Sequence, residues 1–340
     1  MSALGTHYLG LELVHPIIAS ASPSTATFDG MRRLEDAGAA AVVMASLCKD
    51  EVQREDTAYA LLTESLTGCH QEAGSYFPEL AEYRHGFSGH LQTLRRAAES
   101  LRIPVIASLS GVDDEHWGDF ALQLEQAGAA AVELDPCFVP EFSTSGSEIE
   151  NRYLEIVREV KSRVRIPVSI KLPPFFTSLG NFVKRLESGG VDGIVLFKSL
   201  FQPDVDLEKL SVSGESTLST PDDIRLSLTW IALLSRHLTM SVAAGMSVDS
   251  YIEVVKFLLA GADVVMTPPA LSNFRSGRMA DLLIGLEQWL DGNSYGSVSE
   301  IRGILGARHT KLSDLVSLVP GTLFNHAHPD LPSASQRLGP

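Results

Sequence analysis

Short apolar runs alternate along the chain with segments in which apolar residues recur at helical spacing. Each run is apolar at nearly every position, which is typical of parallel strands that are buried on both faces. The eight predicted strands are Pro16–Ser20, Ala40–Ser46, Pro104–Leu109, Ala129–Asp135, Pro167–Leu172, Gly193–Phe197, Met240–Ala244 and Asp263–Thr267.

Helical spacing predicts a helix after each of these strands. The predicted helices are Asp29–Ala37, Leu91–Leu101, Asp114–Ala127, Glu148–Val164, Leu179–Ser188, Pro221–His237, Ser247–Ala260 and Ala280–Leu290. Several helix ends share a small-residue signature, as in Ala37-Gly38-Ala39 and Ala260-Gly261-Ala262. Glycine at that place is the usual left-handed stop of a helix. The helix ends therefore repeat along the chain together with the strands.

Eight alternations of strand and helix predict an α/β protein built as a single (β/α)8 TIM barrel. A doubly wound open sheet is the alternative, disfavoured because no G-x-G-x-x-G follows the first strand. We assign residues 1–305 to the barrel and 306–340 to a C-terminal extension that we expect to be partly disordered. Long connections, Leu47 to Phe87 and Ser199 to Thr220, leave the carboxyl ends of two strands. Barrel enzymes place their active-site loops there.

Composition narrows the classes of partner. The net charge of −15 and the lack of a basic run argue against nucleic acid and against an anionic membrane surface. No apolar run approaches the length of a membrane-spanning helix, and no signal peptide is predicted. Three cysteines without a C-x-x-C pair suit reduced thiols, so we expect a cytoplasmic protein. No histidine spacing typical of a metal site occurs, and we predict no metal.

Two lysines stand at neighbouring strand ends. Lys171 lies in the otherwise apolar run Val168–Leu172, where a lysine needs a partner or a function, unless it points outward to solvent. Lys198 follows the next strand, or is simply a loop cation. Together they would form a local positive site for an anionic group. A lysine that forms a Schiff base is an alternative use of either one.

Other candidates follow neighbouring strands. Cys137 could act as a base or nucleophile, although a lone cysteine is often a small apolar residue. Asp135 could orient a ligand or cap the following turn. Gly245 would let a phosphate approach backbone N–H groups, and Thr267 holds the matching position after the last strand. Pro268 and Pro269 remove donors there.

Seven stretches resemble the dihydroorotate dehydrogenase family of FMN-containing barrels, most closely its soluble class. They are His15–Ser20, Ala37–Val43, Ile103–Ala107, Ala131–Leu134, Ile166–Phe176, Leu258–Asp263 and Tyr295–Gly303. The resemblance implies FMN across the carboxyl ends of the strands, with Lys171 against the isoalloxazine ring. It also implies flavin contacts from Ala19, Ser20 and Ser46, and a phosphate contact from Gly245.

The chain departs from the family at the positions that bind substrate. The strand-four motif that supplies the catalytic cysteine and two asparagines is replaced by Asp135–Pro140, so Cys137 comes one place early and Phe138 occupies the base position. Lys198 replaces an asparagine, and Ala45 replaces the strand-two lysine. The asparagine loop after the second strand reads Ser75-Tyr-Phe-Pro78, Leu218–Arg225 replaces a Gly-rich phosphate loop, and Ala244 replaces the first phosphate glycine. The resemblance is that of a divergent branch.

These features predict an FMN-dependent oxidoreductase that acts on a CH–CH group, as in the conversion of dihydroorotate to orotate in pyrimidine biosynthesis. Catalysis is assigned to Cys137 and Lys171, and cofactor binding to Ala19, Ser20, Ser46, Asp135, Lys171, Lys198, Gly245 and Thr267. The substrate would be a small, anionic molecule. The resemblance implies a homodimer, and the electron acceptor could be a soluble compound or a partner subunit. The alternatives are a non-catalytic barrel that has lost FMN and a Schiff-base lyase.

Overall fold

The computed structural model describes residues 3–48, 52, 87–112, 115–138, 142–198, 204–206, 210–213, 224–245, 248–267 and 278–305. Its strands are β1 Thr6–Tyr8, β2 Leu11–Leu13, β3 Ile17–Ala19, β4 Val42–Val43, β5 Leu47–Cys48, β6 Val105–Gly111, β7 Ala131–Pro136, β8 Val168–Leu172, β9 Gly193–Leu196, β10 Asp204–Asp206, β11 Ser211–Ser213, β12 Ser241–Ala244 and β13 Val264–Thr267. Its helices are α1 Phe28–Asp36, α2 Phe87–Ser100, α3 Trp117–Gln126, α4 Gly146–Arg163, α5 Leu179–Ser188, α6 Ile224–Leu234, α7 Tyr251–Ala260, α8 Arg278–Gly292 and α9 Val298–Ile301.

The parallel strands close into a barrel. They follow one another in the order β3, β4, β6, β7, β8, β9, β12 and β13, and β13 pairs with β3 to complete the ring. Each of these strands lies within, or overlaps, one of the eight predicted runs, so the (β/α)8 fold is confirmed. The open-sheet alternative is wrong because the ring has no free edge.

The second predicted strand is interrupted. The Ala45 N–H leaves the ladder and donates to Thr25 O at 3.4 Å, and pairing resumes only at β5, where Leu47 lies opposite Leu109. The sequence analysis extended the strand to Ser46, because Met44 and Ala45 are apolar, and did not include β5. The break matters for the site, since it lies immediately before Ser46.

Helix ends follow the predicted chemistry. Gly38, Gly128, Gly190 and Gly261 all adopt positive φ, as expected for left-handed helix stops. Helix α4 begins after Ser145, whose hydroxyl accepts the N–H of Glu148, while the carboxylate of Glu148 accepts the N–H of Ser145. This capping box satisfies free amides at the start of the helix.

Alternate residues of the barrel strands face two separate cores. Apolar side chains such as Val168, Ile170 and Leu172 of β8 pack outward against the helices. A second cluster, which includes Ile18, Ile106, Ala131, Val195 and Met266, fills the barrel interior. Because β8 alternates, its Ser169 and Lys171 face that interior together. The strand therefore directs a lysine into the middle of the barrel.

A hairpin that the sequence analysis did not anticipate closes the amino end of the barrel. Strands β1 and β2 pair antiparallel around Leu9 and Gly10, which both have positive φ, as a two-residue hairpin turn of this hand requires. Leu9 N–H donates to Ser241 Oγ at 2.9 Å, and Thr6 Oγ1 donates to Asp263 O at 3.0 Å. These bonds attach the hairpin to β12 and to the start of β13.

Some predictions fall on residues that lie outside the described part of the chain. These are the extension 306–340, most of the two long loops, and Pro268 with Pro269. The described part of the second loop contains the β10–β11 hairpin. No helix among the described residues is long and apolar enough to cross a membrane.

Candidate functional site

Lys171 occupies the barrel interior near the carboxyl end of β8. Only 9% of the residue is exposed, although it carries a charge. The expectation of an outward, solvated lysine is therefore wrong. A buried ammonium needs a counter-ion. Glu133 of β7 supplies it, since Lys171 Nζ lies 2.9 Å from Glu133 Oε1.

Glu133 is a site residue that the sequence analysis missed. Its side chain is completely buried, and one oxygen binds Lys171 while Oε2 has no hydrogen-bond partner among the described residues. The sequence did contain a signal for Glu133. A glutamate in the apolar run Ala131–Leu134 needs a partner or a function, just as a lysine in Val168–Leu172 does. An acidic and a basic residue inside adjacent strands indicate a buried ion pair.

The ion pair determines the charge state of Lys171. Burial by itself would lower the pKa of the ammonium, but the attraction of Glu133, supported by Asp135, more than offsets this and leaves the pKa above its ordinary value. Lys171 is therefore a protonated lysine at neutral pH. A Schiff-base mechanism needs a neutral amine, and this environment does not favour one.

Lys198 is held just beyond β9 by residues of the neighbouring β7. Its Nζ lies 3.1 Å from Asp135 Oδ1, 3.0 Å from Pro136 O and 3.1 Å from Cys137 Sγ. An ammonium has three N–H donors, and these three acceptors use all of them. The reading of Lys198 as a simple loop cation is wrong, since 83% of its side chain is buried. Burial by itself would lower the pKa of Lys198. The attraction of Asp135 and Cys137 outweighs burial and leaves the pKa above its ordinary value.

Cys137 is exposed at the mouth of the barrel, and its N–H donates to Gly111 O at 2.9 Å. Phe138, next in the chain, turns away towards α4 and packs edge-on against Tyr153, with ring centroids 5.1 Å apart. Of residues 137 and 138, the two described just after β7, it is therefore the thiol that is presented at the mouth. Asp135 pairs with Lys198, and the helix after this loop is capped by Ser145.

The other predicted contacts lie on the opposite side of the mouth. Strand β3, which carries Ala19, is four strands away from β8 in either direction around the ring. Ser20 N–H donates to Thr267 O at 3.0 Å, and both side chains are buried. We call Ala19, Ser20 and Thr267 the small-residue wall, and Glu133, Lys171, Asp135 and Lys198 the charged wall.

Ser46 extends the site along a third side. Its hydroxyl lies 2.7 Å from that of Ser108, a fully buried residue of β6. The interruption of the second strand allows this contact, because the backbone leaves the ladder one residue earlier. The sequence analysis assigned Ser46 to the site but not Ser108, because no sequence pattern singled out Ser108 as its partner.

Gly245 is needed for packing rather than for a free N–H. A Cβ atom at this position would lie 2.6 Å from Phe197 O, so no larger residue fits. Its N–H donates to Leu196 O at 2.9 Å and is not available to a phosphate. The next residues, 246 and 247, lie outside the described part of the chain. The predicted phosphate contact therefore cannot come from the amide of Gly245 itself.

Exposed apolar side chains follow three neighbouring strands. Val112, Phe142 and Phe175 follow β6, β7 and β8, and they are 52%, 113% and 74% exposed. We call them the apolar rim. Among the described residues, no group of three or more His, Cys, Asp or Glu side chains could hold a metal ion. The described residues at this end of the barrel thus offer ion pairs, hydroxyls and the thiols of Cys48 and Cys137.

The chain is similar to curated dihydroorotate dehydrogenases. The catalytic subunit of dihydroorotate dehydrogenase B (NAD(+)) of Thermoplasma volcanium is 23% identical over 310 residues, which cover 89% of this chain and 99% of the relative. The protein of the same name from Methanosarcina mazei is 28% identical over 79% of this chain and 89% of its own length.

A third relative carries a different printed name. The putative dihydroorotate dehydrogenase A (fumarate) of Aeropyrum pernix is 28% identical over 64% of this chain and 72% of its own length. No protein-family model matches the chain. The resemblance to dihydroorotate dehydrogenases is confirmed, at the low identity of 23% to 28%.

Proposed function

We propose that this chain, a divergent relative of the dihydroorotate dehydrogenases, is an FMN-dependent oxidoreductase that acts on a CH–CH group of a small molecule. The observation that carries the proposal is the buried Lys171–Glu133 pair at the carboxyl end of the barrel. A charged lysine held inside a barrel at this end is unexplained by packing alone, because an apolar residue would fill the space without a counter-ion. The site has the character of a binding site.

The residues at the ring end of the proposed cofactor site fit a flavin. One N–H of Lys171 binds Glu133, and the other two donors of the ammonium have no partner among the described residues. They are available to acceptor atoms of a ring. The hydroxyls of Ser46 and Ser108 and the small side chains of Ala19 and Ser20 leave polar groups and space on the other sides.

FMN, when bound, supplies a group that accepts a hydride from the substrate. In this proposal Lys171 would hold a positive charge beside the ring and offer it hydrogen-bond donors. Cys137 Sγ accepts the proton that leaves the neighbouring substrate carbon. Lys198, which contacts that sulfur and Asp135, holds the loop in place and stabilises negative charge on the thiol. The apolar rim would limit access of water to the substrate.

The identity of the substrate is also a matter of proposal. The relatives are named for dihydroorotate, but the residues at the family's substrate-binding positions differ here. Since all three donors of Lys198 are used inside the protein, an anionic substrate would need Lys171 or cations outside the described residues. Two relatives carry NAD(+) in their names and one fumarate, so a soluble acceptor and a partner subunit both remain candidates. A homodimer and a cytoplasmic location remain predictions.

Purification of the full chain tests the proposal. We expect a yellow protein with one FMN per chain, either as isolated or after reconstitution. Lys171→Met should lower the affinity for FMN by at least about tenfold, because the charged donor is lost. Lys256→Met, which changes an exposed lysine of α7, is the control and should bind FMN normally. A wild-type protein that stays colourless after reconstitution would overturn the proposal.

The competing function is a non-catalytic barrel that has lost FMN. It is favoured by Gly245, whose N–H is used by Leu196 O, and by the replacement of phosphate-loop glycines. In that case FMN titration gives no absorbance change, while the fold remains intact by circular dichroism. The Schiff-base lyase is tested by borohydride trapping with a keto substrate, where a lysine adduct would support it against both other functions.

A further inference from the structure

Three polar atoms in the barrel interior lack a hydrogen-bond partner among the described residues. They are Tyr8 Oη, Ser169 Oγ and Glu133 Oε2. All three residues are 0% exposed, so bulk water does not reach them. Buried polar groups are almost always hydrogen-bonded, either to protein or to an ordered water. A cluster of three such atoms therefore needs an explanation.

The three atoms belong to one neighbourhood. Ser169 lies directly opposite Glu133 in the β7–β8 ladder, and it precedes Lys171 by two residues on the same face of β8. Tyr8 reaches the interior from the hairpin at the amino end of the barrel. Burial raises the pKa of Tyr8, and the charge of Glu133 raises it further. The phenol is thus close enough to feel that carboxylate, and it stays a neutral donor.

The hydrogen-bonding groups of the three side chains are complementary to one water molecule. The Tyr8 hydroxyl offers a proton, the Glu133 oxygen accepts one, and the Ser169 hydroxyl can do either. Buried waters typically make about three hydrogen bonds to polar groups that would otherwise be unpaired. The Ser169 hydroxyl acts on the Tyr8 phenol in the direction that lowers its pKa, so the two groups lie near each other, although neither oxygen has a partner in full hydrogen-bond geometry among the described residues.

We propose that Glu133 is a positioning residue for Lys171, and that it is itself held by an ordered water bound between Tyr8, Ser169 and Glu133 Oε2. The carboxylate then has one oxygen on the lysine and one on the water. Lys171 is kept charged and is aimed towards the mouth of the barrel. The role of Lys171 towards a cofactor rests on the proposed function, whereas the water and the ion pair do not.

Other charged groups near Lys171 do not replace Glu133. Asp135 and Cys137, on β7 and the loop after it, also attract the ammonium, but both are in contact with Lys198 from the end of β9. Tyr8 is uncharged. If Glu133 becomes neutral, the desolvation of Lys171 outweighs the remaining attraction, and its amine loses its proton more easily. Glu133→Gln is the variant that tests this, since it keeps the shape of the side chain.

The first experiment measures the affinity for FMN between about pH 7 and 9.5, where a buried lysine without a counter-ion titrates. The wild type should show a flat profile, and Glu133→Gln should bind FMN about tenfold more weakly at the alkaline end. Lys171→Met should bind weakly at every pH, and the double variant should match it. The control is Glu99→Gln, an exposed residue of α2. A flat profile for Glu133→Gln would overturn the positioning role.

The second experiment does not need FMN, so it distinguishes failure of this proposal from failure of the proposed function. Glu133→Gln should lower the thermal midpoint by at least about 5 °C, because the ammonium is left buried without its partner. Adding Lys171→Met should restore most of that loss. Additive losses in the double variant would overturn the proposal even in a protein that binds no FMN.

The third experiment addresses the water. A crystal structure of the wild type should show an ordered water within hydrogen-bond distance of Tyr8 Oη, Ser169 Oγ and Glu133 Oε2. Tyr8→Phe should shift the FMN profile in the same direction as Glu133→Gln, but by less, about twofold to threefold. An empty position in the crystal, or a wild-type profile for Tyr8→Phe, would show that the carboxylate is held without the water.

Discussion

The two walls of the barrel mouth are built from different chemistry on the same scaffold. The charged wall holds two ion pairs, Lys171 with Glu133 and Lys198 with Asp135, along β7, β8 and the end of β9. The small-residue wall, on β3 and β13, has no charge and is stabilised by backbone bonds such as that from Ser20 to Thr267. One wall therefore supplies electrostatics and the other supplies space, as a flat ligand lying between them would require.

The difference also concerns how each wall resists mutation. On the charged wall every charge is stabilised by a neighbour, so removal of one residue leaves another unpaired. On the small-residue wall each side chain can change with little effect on its neighbours, provided that it does not grow. The following experiments test this contrast, beginning with the largest expected effect.

Lys171→Met should reduce the free energy of unfolding by about 3–5 kcal/mol, because Glu133 is left as a fully buried carboxylate without its counter-ion. Thr267→Val, a change of similar shape on the opposite wall, should cost less than about 1 kcal/mol. Urea unfolding followed by circular dichroism measures both. Equal losses for the two variants would remove the contrast between the walls.

Gly245→Ala should cost about 1–3 kcal/mol, because the new methyl group meets Phe197 O at 2.6 Å and the backbone must move. Gly180→Ala on α5 is the matched control. Its Cβ meets nothing within 4 Å, and it should stabilise the chain by about 0.5–1 kcal/mol. If Gly245→Ala proved as stable as the wild type, the glycine would not be a packing requirement.

Ser46→Ala should cost about 1 kcal/mol through loss of its hydrogen bond to Ser108. Ser108→Ala should cost a similar amount, and the double variant should lose little more than either one, since the two hydroxyls share a single bond. Thermal unfolding of the three variants measures this. Fully additive losses would mean that the two serines contribute independently.

The smallest expected effect is the change in folding stability that pH causes, near neutrality, through the charged wall. The pKa values of Lys171 and Lys198 are raised above the unfolded value of 10.5, so their stabilisation is fully present below that pH. It declines as pH rises from there through the folded values. Stability of the wild type relative to the double variant Glu133→Gln, Lys171→Met, which carries neither ionisable group, should therefore stay constant between about pH 7 and 10. A decline within that interval would show that Lys171 is less firmly protonated.

Much of the fold could be predicted because its signals are local. Apolar runs marked all eight barrel strands, and glycines at Gly38 and Gly128 marked helix stops that the backbone then adopts. The hairpin at the amino end was missed, although Leu9-Gly10 between two short alternating segments is consistent with a tight turn. The break in the second strand could not be predicted, because Met44 and Ala45 are as apolar as the residues before them.

The candidate site was predicted unevenly. Lys171 stood out because a charge in an apolar strand is unusual, and the same reasoning applied to Glu133 would have found its partner. Lys198 was named as a cation for an anionic ligand, but the sequence did not show that its ammonium is already bound within the protein. Its contacts with Asp135 and Cys137 join residues more than sixty positions apart. Gly245 was named because glycine lets a phosphate approach the backbone, whereas the structure requires glycine there because a Cβ would lie 2.6 Å from Phe197 O.

By itself the sequence determined the alternation of strands and helices, the carboxyl ends where polar residues collect, and the resemblance to dihydroorotate dehydrogenases. These depend on periodicity and on residue types, which are properties of short segments. Only the tertiary structure decided which charges neutralise one another. The closed barrel brings β7 beside β8 and Tyr8 near enough to Glu133 to feel its charge. The interaction between charges depends on distance in space, and that distance does not exist until the ring is closed.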